Sequence, residues 1–249
     1  MISKAKSKFI KSLQIKKYRK QEQCFVVEGR KSVAELIRSD YETILLLATR
    51  DFLSELGSSL QDDTEVVEVV ASDLTGLGEY QSNEDALAVA RMKPGIPAIP
   101  KRDEWLLAVD DIRDPGNLGT IIRTADWYGI RSIIASEQTA ELYNPKVINA
   151  SMGSFLRVNL CYASLTGYLN TASVPVVGAF LDGTDIHDCE FGASGILVIG
   201  NESNGISEAV GALVGTRITI PRFGQAESLN ASIATAVILD NIRRYQKKR

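Results

Sequence analysis

The sequence predicts an α/β protein of two domains, and three observations lead to this prediction. Short apolar runs alternate with helical patterns along all 249 residues, more than the roughly 150 of a single average domain. Most of these runs lack polar alternation, which is typical of parallel strands covered on both faces. Pro94, Pro97 and Pro100 fix φ and remove N–H donors, which indicates an extended linker. The predicted divisions are a first domain at 1–93, the linker at 94–104 and a second domain at 105–249.

In the first domain, strands are predicted from runs rich in Val, Ile and Leu, and helices from apolar residues that share one helical face. The predicted strands are 24–28, 43–49, 65–70 and 86–92. The predicted helices are 29–39, 51–60 and 72–80, the last with Ser72 as its N-cap. Strands and helices in this order favour a small α/β sandwich.

The second domain repeats the alternation with longer apolar runs. Its predicted strands are 105–110, 131–136, 155–160, 174–181, 195–200 and 216–220. Its predicted helices are 117–130, which stops at Gly129, then 145–153, and a long C-terminal helix that begins at Ser228. The pattern predicts a mostly parallel sheet.

Composition excludes several classes of protein. With His187 as its single histidine, the chain cannot form a multi-histidine metal site, and we expect no metal. The three widely spaced cysteines form no CxxC pair, which favours a reducing cytoplasm. No apolar run approaches the roughly 18 residues of a membrane span, and the N-terminus lacks the apolar core of a secretory signal. We therefore expect a cytoplasmic protein with no membrane partner.

The charge distribution indicates a polyanionic partner. Residues 1–31 contain ten basic and two acidic side chains, a local charge of +8, whereas the rest of the chain has a charge of −11. Five further basic residues lie within the last seven positions. Basic ends on an otherwise acidic chain favour nucleic acid as the partner, although each end alone is also typical of a solubilising tail.

Three segments rich in Gly, Asn and Ser each follow a predicted strand: 110–129, 199–207 and 220–234. Ligands of open α/β sheets bind beyond the carboxyl ends of the strands, so we expect the three segments to face one crevice. The motifs GxGxxG, GxxxxGK[ST] and GxSxG are absent from the sequence. This excludes the common dinucleotide, P-loop and nucleophile-elbow sites.

Five polar residues in these segments are candidates for chemistry. Asn117 is predicted at the N-cap or in the first turn of a helix. Arg123 lies six residues later among apolar neighbours, where it is expected to bind an anion or a carboxylate. A salt-bridged Arg123 is the alternative. Glu202 lies in a turn, where a solvated carboxylate is common. Ser228 and Asn230 stand at a predicted helix start, where Ser228 also fits an N-cap.

Together the segments resemble the three signature motifs of the SpoU (TrmH-like) RNA 2′-O-ribose methyltransferases of the SPOUT superfamily. The motifs are DPGNLGTIIRTA, VIGNESNGIS and IPRFGQAESLNASIATA, and the stretch YNPKVINASMGSFLRV is similar as well. The resemblance covers residues 105–243 in order. Residues 1–93 resemble, more loosely, the L30e-like α/β substrate-binding domain of the family.

The resemblance implies a SPOUT domain with a deep trefoil knot, a homodimer, and S-adenosylmethionine (AdoMet) held in the knot. It implies that the cofactor adenine is bound through the backbone at Gly200, Ile220 and Leu229. The catalytic positions that it implies are Asn117, Arg123, Glu202, Ser228 and Asn230.

Two roles for Arg123 remain open. In the family this arginine is proposed as the general base that accepts the proton of the ribose 2′-OH. Because a guanidinium has a pKa above about 12, Arg123 is alternatively a bidentate phosphate clamp that orients the hydroxyl. Glu202 would then pair with Arg123 or with its counterpart across a dimer interface.

The resemblance favours rRNA as the substrate, because the small tRNA enzymes of the family use basic terminal extensions rather than a folded N-terminal module. A tRNA ribose methyltransferase is the nearest alternative. A non-catalytic RNA-binding assembly factor is the alternative of another class, and a methyltransferase that confers antibiotic resistance is a third.

Overall fold

The computed structural model describes residues 2–60, 63–79 and 83–247. The chain divides into two compact units: the first is Met1–Pro94 with Leu142–Leu156, and the second is Gly95–Glu141 with Arg157–Arg249. The first change of unit lies in the proline-rich segment. Residues 142–156 belong by their contacts to the first unit, although the sequence analysis groups them with the second domain.

The first unit contains a four-stranded mixed sheet. Its strands are β1 (Cys24–Glu28), β2 (Thr43–Ala48), β3 (Glu65–Glu68) and β4 (Ala86–Arg91). The helices between them and before them are α1 (Lys4–Ser12), α2 (Lys16–Glu22), α3 (Arg30–Ile37), α4 (Arg50–Leu56) and α5 (Ala71–Leu74). The strand order is β1-β4-β2-β3, in which β4 is antiparallel to both neighbours and β3 runs parallel to β2. All four predicted strands are confirmed, with ends that differ by at most two residues.

Two features of this unit differ from the expectation. The basic N-terminus, to which the sequence analysis assigns no element, forms α1 and α2, and the buried Arg19 guanidinium joins them by donating to the carbonyls of Leu13 and Gln14 at 2.9 Å. Ser72 lies inside α5 and does not cap it, because α5 already begins at Ala71 and its N-cap is Val70. Tyr80, the predicted end of this helix, lies outside the described residues.

The second unit is built on a six-stranded sheet in which every strand pair is parallel, as predicted. Its strands are β5 (Trp105–Val109), β6 (Ser132–Ala135), β7 (Asn159–Tyr162), β8 (Val176–Asp185), β9 (Gly195–Ile199) and β10 (Thr216–Thr219). The helices of this part of the sequence are α6 (Pro115–Trp127), α7 (Pro145–Ser151), α8 (Leu165–Asn170), α9 (Glu208–Gly211) and α10 (Ala231–Gln246). The order β10-β8-β9-β5-β6-β7 places β5 and β9 side by side, and every residue of these two strands is buried. Their purely apolar sequences follow from this burial on both faces.

Helix α7 packs in the first unit, against β1. An aromatic cluster anchors this segment: the rings of Phe25 and Tyr143 lie 4.5 Å apart, and Phe155 meets Phe25 edge-on at 5.8 Å. The predicted strand at 155–160 is therefore misplaced. Ser154–Leu156 forms a 3₁₀ turn within the first unit, and β7 begins only at Asn159.

Candidate active site

The loops that follow β5 and β9 are joined by two hydrogen bonds at the carboxyl edge of the sheet. The buried carboxylate of Asp110 accepts from the Ser207 amide at 2.8 Å. The side-chain amide of Asn201 donates to the carbonyl of Asp111 at 2.7 Å. Because β5 and β9 are parallel neighbours, their loops leave the sheet at the same edge, as the sequence analysis predicts.

Asn201 also shapes the loop at 200–205. Its backbone pairs with Gly205 in both directions, at 3.0 and 2.9 Å. Its side-chain oxygen accepts from the amides of Ser203 and Asn204, at 2.8 and 3.1 Å. Gly205 closes the turn with a φ of +67°, a conformation that glycine adopts without steric cost. Asn201 therefore holds Glu202 in a defined position.

Gly200 is required by close backbone packing. A Cβ at this position would lie 2.2 Å from both the carbonyl carbon of Gly205 and the amide nitrogen of Ile206. Any larger residue would force the two sides of the loop apart. The backbone at position 200 thus lies directly against the returning chain.

Asn117 connects the first segment to both of the others. Its side-chain amide donates to Glu202 Oε1 at 2.5 Å, and its side-chain oxygen accepts from Asn230 Nδ2 at 2.8 Å. Asn117 lies in the first turn of α6, as predicted, where Asp114 is the N-cap and accepts from the Asn117 amide at 2.7 Å. Three of the five candidate residues therefore form one hydrogen-bonded chain.

The third segment differs from the expectation at the start of its helix. Helix α10 begins at Ala231, and its N-cap is Asn230, which accepts from the amides of Ser232 and Ile233 at 2.9 and 3.4 Å. The predicted start at Ser228 is therefore wrong. Ser228 is exposed and makes no hydrogen bond to any residue that the structure describes.

Arg123 does not lie on the apolar face of its helix. Ile121, Ile122 and Ala125 are buried, whereas Arg123 projects from the exposed side of α6. It makes no hydrogen bond or ion pair within residues 2–60, 63–79 and 83–247, and Glu202 bonds to Asn117 instead. The expected pairing of Arg123 with Glu202 is thus absent within the chain, and the guanidinium is free to bind another group.

A large pocket opens beside this cluster. It has a volume of about 940 Å³, and its lining includes five of the eight candidate residues, which are Gly200, Glu202, Ile220, Ser228 and Leu229. Four buried isoleucines contribute to its floor, namely Ile199, Ile206, Ile218 and Ile238. Asn117, Asn230 and Arg123 do not line it, although the first two reach its wall through Glu202.

The charges at one side of the pocket are already paired. Arg217 donates to the Asp182 carboxylate at 2.7 Å and holds its pKa below the usual range, so this carboxylate remains ionised. The same guanidinium stacks over the Phe180 ring, 3.7 Å from its centroid.

Among the described residues, no group of three or more His, Cys, Asp or Glu side chains is arranged to hold a metal ion. No described helix has the length and hydropathy of a membrane span.

The SpoU rRNA Methylase family model matches residues 104–240, a range that contains all eight candidate residues. The chain belongs to this family. The MRM3-like substrate binding domain model matches residues 4–88. The resemblance, the α/β fold and the N-terminal substrate-binding domain predicted from the sequence are therefore confirmed.

Relatives of the SpoU family match nearly the whole chain. The 23S rRNA (guanosine(2553)-2′-O)-methyltransferase of Bacillus subtilis is 28% identical over 94% of both chains. The 23S rRNA (uridine(2479)-2′-O)-methyltransferase of Streptomyces viridochromogenes is 32% identical over 87% of this chain and 72% of its own. The AdoMet-bound rRNA methyltransferase of Sinorhizobium meliloti superposes with a TM-score of 0.89 at 27% identity, over 98% of this chain and 96% of that one.

The residues of this SpoU pocket fit AdoMet. Within the described part of the chain, the backbones of Ile220 and Leu229 make no hydrogen bond, so their amides and carbonyls are available to an adenine edge. The isoleucine floor suits the apolar faces of the ring. The volume lies within the roughly 300–1,000 Å³ of small-molecule sites.

The sequence did not predict roles for Asn201, Asp110 or Asp111, although all three fall in or beside its motifs. Asp111 adopts a φ of +58°, a left-handed conformation that aspartate tolerates better than most residues. The backbone amide of Asp111 donates to Ser136 Oγ at 2.8 Å, which stabilises this conformation. The signal available in the sequence was the pair of aspartates directly after a buried strand.

Proposed function

We propose that this chain is an AdoMet-dependent methyltransferase that modifies a ribose 2′-OH of 23S-type rRNA. The observation that carries the proposal is the hydrogen-bonded chain Asn230–Asn117–Glu202 at the wall of the 940 Å³ pocket of a SpoU domain. The names of the Bacillus and Streptomyces relatives support rRNA as the substrate class. The Sinorhizobium structure supports AdoMet as the cofactor.

The catalytic residues of this proposal have distinct tasks. Bound AdoMet supplies a methyl group on a positively charged sulfur. Gly200, Ile220 and Leu229 hold the adenine through their backbones. Glu202, which is held in place by Asn117, orients the polar groups of the bound ligands at the pocket wall. Holding the 2′-OH in line with the methyl group converts a difficult encounter into an oriented step, in which the new O–C bond would form as the S–C bond breaks and the hydroxyl proton would leave to solvent.

Arg123 is the phosphate clamp of the proposal. Its exposed guanidinium has no partner among the described residues, and guanidinium groups bind phosphate through two parallel hydrogen bonds. A phosphate next to the target ribose would fix the position of that sugar. Ser228, which is exposed and lines the pocket, is free to donate to the same nucleotide.

The first domain, residues 1–93, is proposed to bind rRNA through α2. Lys16, Lys17 and Lys20 are exposed there without an ion pair to any described residue, and Tyr18 is exposed beside them. Lys6, in contrast, is already neutralised, since it pairs with Glu65. Free lysines attract the phosphates of nucleic acid of any sequence, and their contribution to the binding affinity falls as the salt concentration increases.

A homodimer and a trefoil knot are also part of the proposal. Trp127 at the end of α6 is 84% exposed, and Ile233 on α10 is exposed as well; exposed apolar side chains of this size support contact with a second copy. A change of Trp127 to Glu should then lower the sedimentation coefficient to that of a monomer. The knot is proposed from membership of the SpoU family.

The test of the proposed function is methyl transfer from tritiated AdoMet to separated, unmodified rRNA and tRNA pools. Incorporation into 23S rRNA supports the proposal, and incorporation into tRNA alone would assign the tRNA activity instead. Calorimetry that detects no AdoMet binding, with or without RNA, would leave an RNA-binding assembly factor as the function.

A further inference from the structure

The loop between β10 and α10 exposes an aromatic ring at the pocket. Phe223 is 95% exposed, the largest value among the exposed large apolar residues that the structure describes, and it lines the pocket. An aromatic side chain can bury roughly 150–250 Å² of surface, and an exposed phenyl ring lacks the stabilisation that this burial gives. Such a ring at a binding site is therefore available to a ligand.

The neighbours of Phe223 give this edge of the pocket a mixed character. Arg222 is exposed and also lines the pocket, and among the residues that the structure describes its guanidinium bonds only to the Ala226 carbonyl, at 3.4 Å. Leu181, which lines the pocket from β8, is 78% exposed. An exposed aromatic ring, a cation and an exposed aliphatic side chain therefore line the same pocket as the buried isoleucines.

These groups match the parts of a nucleotide. Bases of any sequence stack on an aromatic ring, and guanidinium groups bind phosphates. Within one nucleotide the ribose connects the base to the phosphate. Fixing both ends therefore restricts the sugar between them.

We propose that Phe223 stacks on the base of the target nucleotide while Arg222 contacts its phosphate, so that the two residues position the ribose over the pocket. This inference rests on the proposed function, since it names how the RNA enters that same site. Stacking tolerates any base, so Phe223 contributes to affinity and positioning rather than to sequence selection.

The test compares Phe223→Ala, Phe223→Leu and Phe223→Tyr in the full chain, with in vitro transcribed 23S rRNA as the methyl acceptor. The expected result is a KM for RNA that rises roughly 5- to 100-fold in the Ala and Leu variants. The Tyr variant should keep the KM of the unchanged protein, because it retains a stacking ring. The AdoMet dissociation constant, measured by calorimetry without RNA, should not change. Ile99→Ala, at an exposed apolar residue that does not line the pocket, is the matched control.

Three results would overturn the inference. An unchanged KM for RNA in Phe223→Ala removes the stacking role. A loss of AdoMet affinity would mean that the ring covers the cofactor, and a change in sedimentation would mean that it contacts a second copy. The stacking role can also be measured without turnover, by comparing the affinity of the unchanged protein and of Phe223→Ala for fluorescein-labelled oligoadenylate by anisotropy. If the unchanged protein methylates no RNA, the proposed function fails, whereas an active protein that is indifferent to Phe223→Ala refutes this inference alone.

Discussion

The side-chain amide of Asn117 donates to Glu202 at 2.5 Å, although the two residues lie 85 positions apart. Asn117 stands in the first turn of α6, and Glu202 in the loop after β9. Because the oxygen of the same amide accepts from Asn230, two of the four hydrogen-bonding positions of the Asn117 side-chain amide are filled by other residues of the site. One residue thus fixes the relative positions of three segments.

Replacing Asn117 should therefore disorganise the site without unfolding the protein. Asn117→Ala removes the donor to a carboxylate, a hydrogen bond worth roughly 1.5–3 kcal/mol, and we expect kcat/KM for RNA to fall roughly 10- to 100-fold. Thr120→Ala, one turn along the same helix, removes only a local bond to the Gly116 carbonyl and should keep full activity. Equal activity of the two variants would show that the bridge is not needed.

Gly200 should not tolerate even one added methyl group. In Gly200→Ala the new Cβ would overlap the backbone at 205–206, so the loop must move, and AdoMet affinity should fall roughly 5- to 100-fold in calorimetry. Gly215→Ala is the control, since its Cβ would meet the Val176 carbonyl at an ordinary 3.6 Å. Full cofactor affinity in Gly200→Ala would contradict the assignment of this backbone to the cofactor.

Arg123 should affect catalysis but not stability, because it is exposed and has no partner in the described part of the chain. We expect Arg123→Ala to lower kcat by about 100-fold or more while the melting temperature stays the same. Arg123→Lys should restore little, since an ammonium cannot form the bidentate contact. Arg131→Ala, at an exposed residue after the same helix, is the control. Near-normal turnover of Arg123→Ala would exclude the clamp.

The α2 lysines should contribute to the salt dependence of RNA binding. In the combined variant Lys16→Gln, Lys17→Gln and Lys20→Gln, we expect the slope of log K against log salt to decrease by about 2–3, one unit for each lost phosphate contact. Lys6→Gln should leave the slope unchanged, because Lys6 already pairs with Glu65. Filter binding of 23S rRNA over a salt series measures both. An unchanged slope in the triple variant would place the RNA elsewhere.

Much of the fold could be predicted because the strands carry strong local signals. β5 and β9 are buried on both faces, and sequences such as WLLAV and GILVI have few alternatives to a central parallel strand. The convergence of the loops after them followed from the topology of parallel sheets. Because both loops leave the same edge, Asn117 and Glu202 were expected near each other, but their hydrogen bond was not predicted, since Glu202 was expected to pair with Arg123 or with its counterpart across a dimer interface.

The remaining features depend on contacts between residues distant in the sequence. Helix α7 has ordinary local signals, and contacts with distant residues show that its segment packs in the first unit, such as the contact of α7 with β1 and that of Tyr143 with Phe25. The orientation of Arg123 depends on which face of α6 is covered. An error of one residue in the predicted position of that face is enough to reverse the orientation. Ser228 and Asn230 are both good N-caps, and the bond of Asn230 to Asn117 favours the second.

The central claim is that this site methylates a ribose hydroxyl. Alkaline hydrolysis of the labelled 23S rRNA tests it most directly, because a 2′-O-methyl group removes the nucleophile that cleaves the adjacent phosphodiester. The tritium should appear in alkali-stable dinucleotides, and Arg123→Ala should remove it. Tritium in mononucleotides would locate the methyl group on a base and contradict the account.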